Sequence, residues 1–402
     1  MVFVRSCTAR EFRNSEYAAM GMEHLSIDPL TELRRRRSAK WRTFPEDVLP
    51  LPVAEMDFPL AEPVAKVLRE AIDRSDTGYA APTPDLAEAV RNYAWRSWRW
   101  GIGDGCIRTV ADVGIGIVEV LRRIVGAGDR VVISPPVYEP FSWWVREVGA
   151  HVVEAPLAEG PGGWRLDLDA LERAFSAGAT AYLLCNPHNP MGLVHGRDDL
   201  KALADLADKY GVHVLSDEIH APLVLPGAEF VPFLSVSDEA RRRGFAFLSA
   251  SKGWNLAGLK AAAVITADPA PKRYVDRLPP HSLYRTGHLG VLATVAAFND
   301  SGPWLADVMD TLDHNRRLLD DLLTELLPAV RYRMPQAGFL AWLDFRALGW
   351  GDDPSAHILD AARVALNAGH RYGTSGNGWA RLNFGCSPQT LTEAITRIAA
   401  AS

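Results

Sequence analysis

Lys252 is one of only seven lysines in a chain that otherwise takes its cations as arginine, and it lies in SASKGWNLAGLK (249–260), directly after an apolar run ending at Leu248. An amine at a strand end, among small residues that let a ligand approach, is placed to form an imine with an aldehyde. Taken alone it reads as a surface lysine, so its company decides. Upstream, the apolar run in VLSDEIHAPL (214–223) ends on Asp217. A carboxylate there is poorly solvated and needs a partner. The protonated nitrogen of a pyridine ring would serve. An ionised Asp217 favours the charged ring, and a charged ring is an electron sink for a carbanion at a substrate α-carbon. Pyridoxal 5'-phosphate joins an aldehyde to such a ring. By itself, Asp-Glu before a helix is as often a cap.

Three further segments fit the same ligand. In CNPHNPMGLV (185–194) the prolines restrict the chain and Gly192 ends the loop, so Asn189 can be held in one orientation to meet a phenolic oxygen. Asn186 reads as part of the turn itself. PPVYEPF (135–141) supplies Tyr138, a flat ring that could stack on a pyridine or pack in the interior. ADVGIGIVEVLRRIV (111–125) is a glycine-containing turn opening an amphipathic helix, whose first N–H groups and dipole suit a dianion. Ser249 and Ser251 add hydroxyls there, and Lys260 a cation.

These residues must be positioned by a sheet. The runs 131–133, 181–184, 212–215, 245–248 and 262–265 are short, apolar and bounded by Gly, Pro or Asp, as strands buried on both faces of a parallel or mixed sheet are. Residues 197–210 form an intervening helix with Leu200, Leu203, Leu206 and Ala207 on one side and Gly211 as its stop. After Gly287 come long helical writing through Leu327, a strand in FLAWLDF (339–345), a helix to about Ala368, a strand around 379–384 and a closing helix from Pro388. That order suggests a smaller α+β domain.

Bulk properties narrow the class. With 402 residues, 48% hydrophobic and 23% charged, the chain reads as globular and two-domain. A net charge of −6 leaves no basic footprint for nucleic acid. Four scattered cysteines without CxxC spacing fit a reducing compartment, hence the cytoplasm. No apolar stretch is long enough to span a bilayer, and the first twenty residues lack a signal-peptide core. The arginine run 34–37 reads as a solvated helix face or subunit contact.

Together these motifs resemble the fold-type I PLP enzymes, the aspartate aminotransferase superfamily, and within it the MalY/PatB branch of cystathionine β-lyases and other cysteine C–S lyases. The resemblance runs from about Ile27 to the C-terminus through KWR (40–42), VAEMDFP (53–59), TGY (77–79), PPVYEPF, NPHNPMG, SDEIHA, SASKGWNLAGLK, FLAWLD and RLNFG (381–385). It implies an α/β PLP-transferase fold: an extension over 1–26, a segment 27–50 packing with the small domain, a large PLP-binding domain 51–287 and a small domain 288–402. It also implies roles. Lys252 carries the cofactor, Asp217 faces the ring nitrogen, Tyr138 stacks on the ring and Asn189 meets its phenolic oxygen. Val113, Gly114, Ser249 and Lys260 hold the phosphate, and Arg381 grips the substrate carboxylate with a bidentate fork. Tyr79 reaches the phosphate and substrate of a neighbouring subunit, making a homodimer. His220, three residues after Asp217 where most aminotransferases have tyrosine, lies beside the cofactor and favours elimination, although a buried imidazole would read alike. Pro52 and Phe339 depart from the pattern, at positions where the resemblance places the substrate pocket. The expected activity is α,β-elimination from an L-cysteine S-conjugate. Transamination, decarboxylative or oxidative deamination, and a PLP-binding regulator are the alternatives.

Overall fold

All five apolar runs are strands, and two more join them at the edges. In the computed structural model, which describes residues 25–402, a seven-stranded sheet comprises β1 (Ile107–Val110), β2 (Arg130–Ile133), β3 (His151–Glu154), β4 (Ala179–Cys185), β5 (His213–Asp217), β6 (Gly244–Leu248) and β7 (Ala262–Ile265). The extension expected over residues 1–26 lies, but for its last two residues, outside the described residues. The strand order is β1-β7-β6-β5-β4-β2-β3. Only β7 runs antiparallel to its neighbours, so the sheet is mixed. The edge strands β1 and β3 escaped the sequence reading because both are largely half-exposed or exposed and lack a continuous apolar run.

Alternation along each strand sends neighbouring side chains into two different cores. Val131, Leu183, Leu215 and Phe247 meet Ile117 and Leu121 of helix α1 (Val113–Ile124) on one face. Val132, Leu184, Val214 and Leu248 meet Leu200 and Leu203 of α2 (Arg197–Tyr210) on the other. Gly211 stops α2 in the left-handed conformation, at φ +74°. Burial on both faces is why these strands read as unbroken apolar runs.

The helical stretch after Gly287 is two helices, α3 (His288–Asp300) and α4 (Gly302–Leu326), with Pro303 in the first turn of the second. They serve different cores. Ala293, Ala297 and Phe298 of α3 pack with the large sheet's core, whereas Leu312, Leu319 and Leu323 of α4 pack with the second one. Trp304 and Leu305, at the start of α4, pack against both cores. Helical periodicity runs through both segments and does not say which core each one faces.

The second core lies on a four-stranded antiparallel sheet of β8 (Arg331–Tyr332), β9 (Leu340–Asp344), β10 (Asn367–Ala368) and β11 (Trp379–Asn383), in the order β8-β9-β11-β10. Helix α5 (Pro388–Ala400) closes it. The helix expected to reach Ala368 covers only Pro354–Ala362, and Arg363 ends it at φ +54°. Tertiary pairing overrides helix propensity there: Val364–Ala365 pairs in parallel with Leu49–Pro50. Leu25, Ile27 and Leu30 rest on the same core. Of the arginine run, Arg35 and Arg36 pair with Glu32 and Asp28 on the surface. Among the described residues no helix is long and apolar enough to cross a membrane.

The loop carrying Asn189 is tied to the second unit at Gly192, whose carbonyl accepts from the amides of Gln336 and Ala337 at 2.8 and 3.0 Å. Gly192 has φ +62°, and a methyl there would run into Pro335 and the carbonyl of Ala337. Gly192→Ala is therefore expected to destabilise by roughly 2–4 kcal/mol. Thermal melts check this, and an unchanged Tm would contradict it.

Candidate active site

The expected residues converge because the parallel strands end together. Asp217 closes β5, and the chain leaving the C-terminal ends of β2, β4 and β6 carries Tyr138, Asn189 and Lys252. Ligands of open α/β sheets bind at this edge. One cavity of about 960 Å³ is lined by Val113, Gly114, Tyr138, Asn189, Asp217, His220, Ser249, Lys252, Lys260 and Arg381. Tyr79 is not among them. It is 82% exposed and meets Tyr284 edge-on at 6.0 Å outside this cavity.

Both central groups are held away from their usual protonation. Burial pushes Asp217 up to about 7, against one backbone hydrogen bond from Ile219 at 3.1 Å and the charge of Lys252. Burial also pulls Lys252 down to about 8, helped by the guanidinium of Arg381 and opposed by Glu55 and Asp217. Lys252 Nζ donates to the carbonyl of Ala54 at 2.9 Å. An under-neutralised carboxylate and an amine near its neutral form thus face one space.

Arg381, on β11, is 3% exposed. Its Nη2 donates to Pro52 O at 2.7 Å and its Nη1 to Asn189 Oδ1 at 3.1 Å, and its guanidinium lies 5.3 Å from the centre of the Tyr372 ring. Nε is buried without an acceptor, and Arg381 forms no ion pair among the described residues. A buried guanidinium without a carboxylate is costly, so its position calls for an anionic ligand. The bond to Arg381 also orients Asn189. With the carbonyl end engaged, the amide's N–H groups are left for the cavity.

The segment 52–57 that supplies the Pro52 and Ala54 carbonyls is clamped from three sides. Asn383 Nδ2 donates to Val53 O and Glu55 O, both at 2.7 Å. Asn255 bonds both the amide and the carbonyl of Met56, at 2.9 and 2.8 Å. Lys40 reaches Asp57 at 2.6 Å, both side chains 1% exposed. Sequence reasoning quoted KWR and VAEMDFP as motifs but missed these roles, because the working atoms are backbone carbonyls.

At the other end of the cavity, Asp112 caps α1 by accepting from Ile115 N at 2.8 Å, and Gly116 N bonds back to Asp112 O. The amides of Val113 and Gly114 keep no protein acceptor, as first-turn amides do. Lys260 balances Asp112 at 3.4 Å. Gly114 is small because the Trp144 ring would lie 2.7 Å from any β-carbon there. Trp144 was another residue the sequence reading passed over. The hydroxyl of Ser249 is turned inward, donating to Ala261 O at 2.7 Å and accepting from Ser251 N at 3.1 Å. That leaves it only an acceptor in this arrangement, while Ser251 also lines the cavity.

Tyr138 is 36% exposed with its ring toward the cavity, edge-on to Phe141 and Trp144. Pro52 lines the cavity as expected, but Phe339 does not: it is 1% exposed and lies behind His220, with ring centres 6.2 Å apart. Asn186 is fully buried and donates to Val231 O at 3.2 Å, a structural role.

Pyridoxal 5'-phosphate fits this donor set. A buried carboxylate awaits a cation, a lowered amine faces the same space, and free amides open a twelve-residue helix beside a lysine. The aminotransferase class I and II model matches residues 47–398. The chain belongs to that family. Within it, the chain is 46% identical to a Mycobacterium tuberculosis protein provisionally named cystathionine beta-lyase, over 94% of this chain and 97% of that one. It is 34% identical to the cystathionine beta-lyase PatB of Bacillus subtilis, over 94% of this chain and all of PatB. The solved structure of cystalysin from Treponema denticola, which contains a pyridoxal 5'-phosphate cofactor, matches with a TM-score of 0.88 at 26% identity, over 94% and 98% of the two chains. The architecture is thus the aspartate aminotransferase-like fold.

In a family member with this buried acid, pH-dependent stability reports its charge. Because the folded pKa of Asp217 is raised, its contribution to stability is full below the unfolded value of 3.8 and is lost as pH rises through about 7. Asp217→Asn removes that loss. Without cofactor, D217N should be more stable than the parent at pH 8, by about 2–4 kcal/mol, with the advantage shrinking toward pH 4. Denaturant melts at both pH values check it, and an equal difference at both would refute it.

Proposed function

We propose that this chain is a pyridoxal-5'-phosphate-dependent carbon–sulfur β-lyase that cleaves an L-cysteine S-conjugate to a thiol, pyruvate and ammonia. The observation that carries the reading is the buried guanidinium of Arg381, without a carboxylate partner, facing the cavity that Lys252 and Asp217 share. An amino acid meets all three groups: its carboxylate belongs on Arg381 and its α-carbon near Lys252. The names of the relatives at 46% and 34% identity support the lyase direction, as does His220 where most aminotransferases have tyrosine.

When bound, pyridoxal 5'-phosphate supplies an aldehyde for the amine and a ring that takes up electrons released at the α-carbon. The chain's residues do the rest. Arg381 fixes the α-carboxylate, its own position set by Pro52 O, Asn189 and the Tyr372 ring. Lys252, lowered to about 8, is partly neutral near neutrality, so its Nζ can accept the α-proton. The carbonyl of Ala54 is in place to hold the resulting ammonium. Asp217 keeps a proton on the ring nitrogen, a pairing that offsets its own burial. The Val113 and Gly114 amides with Lys260 hold the phosphate. Tyr79, exposed beside Tyr284, supports a homodimer in which it reaches the partner's site.

Incubating the holoenzyme with L-cystathionine and simple S-alkyl cysteines should release thiol and pyruvate in equal amounts. Accumulation of the pyridoxamine form without thiol would overturn the reading. Lys252→Ala should abolish release, and Arg381→Lys should lower kcat/KM roughly 10- to 100-fold through loss of the two-pronged contact. The cofactor-free chain should capture pyridoxal 5'-phosphate faster as pH rises, levelling off above about 8, whereas an ordinary lysine would continue to gain past pH 10. Stopped-flow absorbance across that range measures this.

A further inference from the structure

His220 is 6% exposed, and its Nδ1 is buried without a hydrogen-bond partner. The two edges of the ring differ. Nδ1 is sealed against Gly338, where a β-carbon would stand 3.5 Å away, and the ring backs onto Phe339. His220 lines the active-site cavity, and Nε2, unlike Nδ1, is not among the buried atoms left without a partner. Burial and the nearby cations Lys252 and Arg381 depress the imidazole to about 3, so it is neutral and carries one proton. On Nδ1 that proton would be an orphaned buried donor, which folded proteins rarely tolerate. With the proton on Nε2 instead, an uncharged N–H is available to the cavity that His220 lines.

The lyase reading assigns ligand atoms to three groups of cavity donors. Arg381 takes the α-carboxylate, Asn189 the phenolic oxygen, and the α1 amides with Lys260 the phosphate. Nothing in that reading yet assigns a donor to the sulfur on the β-carbon. We propose that His220 is a further catalytic residue, whose Nε2–H donates a hydrogen bond to the substrate sulfur as the Cβ–S bond breaks. The inference rests on the lyase reading and assigns the leaving-group contact within it. The pair released at the α-carbon forms the Cα=Cβ bond as the Cβ–S pair passes to sulfur, and the proton lost from the α-carbon sits on Lys252. The thiol's proton comes from that ammonium or from water. His220 keeps its own proton throughout, since a neutral imidazole is too weak an acid to give it up. Phe339, which brings no hydroxyl to the back of the ring, leaves the imidazole free of a competing internal partner.

The test compares single-turnover rates for two conjugates of unlike leaving group, S-ethyl-L-cysteine and S-(4-nitrophenyl)-L-cysteine. His220→Leu should slow the ethyl conjugate roughly 10- to 100-fold, as expected for one hydrogen bond to a charge-developing atom. The nitrophenyl conjugate, whose thiolate is stable unaided, should slow less than about threefold on the same reasoning. His220→Gln, which retains an N–H, should recover most of the loss, and the cofactor's absorbance and affinity should be unchanged in all variants. Should H220L fail to fold, His220→Met, which also lacks an N–H, carries the same comparison. An equal loss for both conjugates, or an altered cofactor spectrum, overturns this assignment alone. A parent enzyme that releases no thiol from either conjugate overturns the lyase reading and this assignment with it.

Discussion

The site depends on an electrostatic deficit at the C-terminal edge of the large sheet. Asp217 is buried with one backbone hydrogen bond, and the charge of Lys252 does not offset its burial. Arg381 is buried and lacks an anion. Lys252 lines the same cavity, pulled toward its neutral form by burial and by Arg381. In a fold selected for stability alone these charges would neutralise one another or be replaced by apolar residues. Held apart, they define the ends of a space that a zwitterionic amino acid and a charged ring would fill, and binding energy then compensates what folding leaves unpaired.

Holding them apart requires rigidity from two cores. Strands β4, β5 and β6 fix Asn189, Asp217 and Lys252 to the large unit, while β11 brings Arg381 from the second unit. The segment 52–57 joins the two. Asn383 of β11 and Asn255, three residues beyond Lys252, grip the same short stretch, which presents Pro52 O to Arg381 and Ala54 O to Lys252. The buried Lys40–Asp57 pair sits behind it. Such a pair adds little net stability, but removing one partner would leave the other charge buried and alone. Its value is geometric: it fixes a backbone whose carbonyls are working groups.

Much of this was legible in the residue order. Continuous apolar runs marked the buried strands because helices cover both faces, and Gly211 marked the end of α2 because only a residue free of a β-carbon takes that conformation cheaply. Lys252, Asp217, Tyr138 and Asn189 could be singled out because strand ends and proline-bounded loops are where an α/β sheet displays side chains. The edge strands were not legible, since half-exposed strands lose the apolar signal, and neither was the stop at Arg363, which a pairing with Leu49–Pro50 imposes from more than 300 residues away.

The sequence by itself determined which chemical groups the chain owns, which family it belongs to, and which short segments present those groups, because local pattern and turn chemistry are written in adjacent residues. Only the tertiary structure decided that Phe339 lies behind His220 rather than in the cavity, that the Ser249 hydroxyl turns inward, that α3 and α4 serve different cores, and that two backbone carbonyls orient Lys252 and Arg381. Those outcomes depend on contacts between residues far apart in the chain and on atoms common to every residue, and neither leaves a mark in the order of side chains.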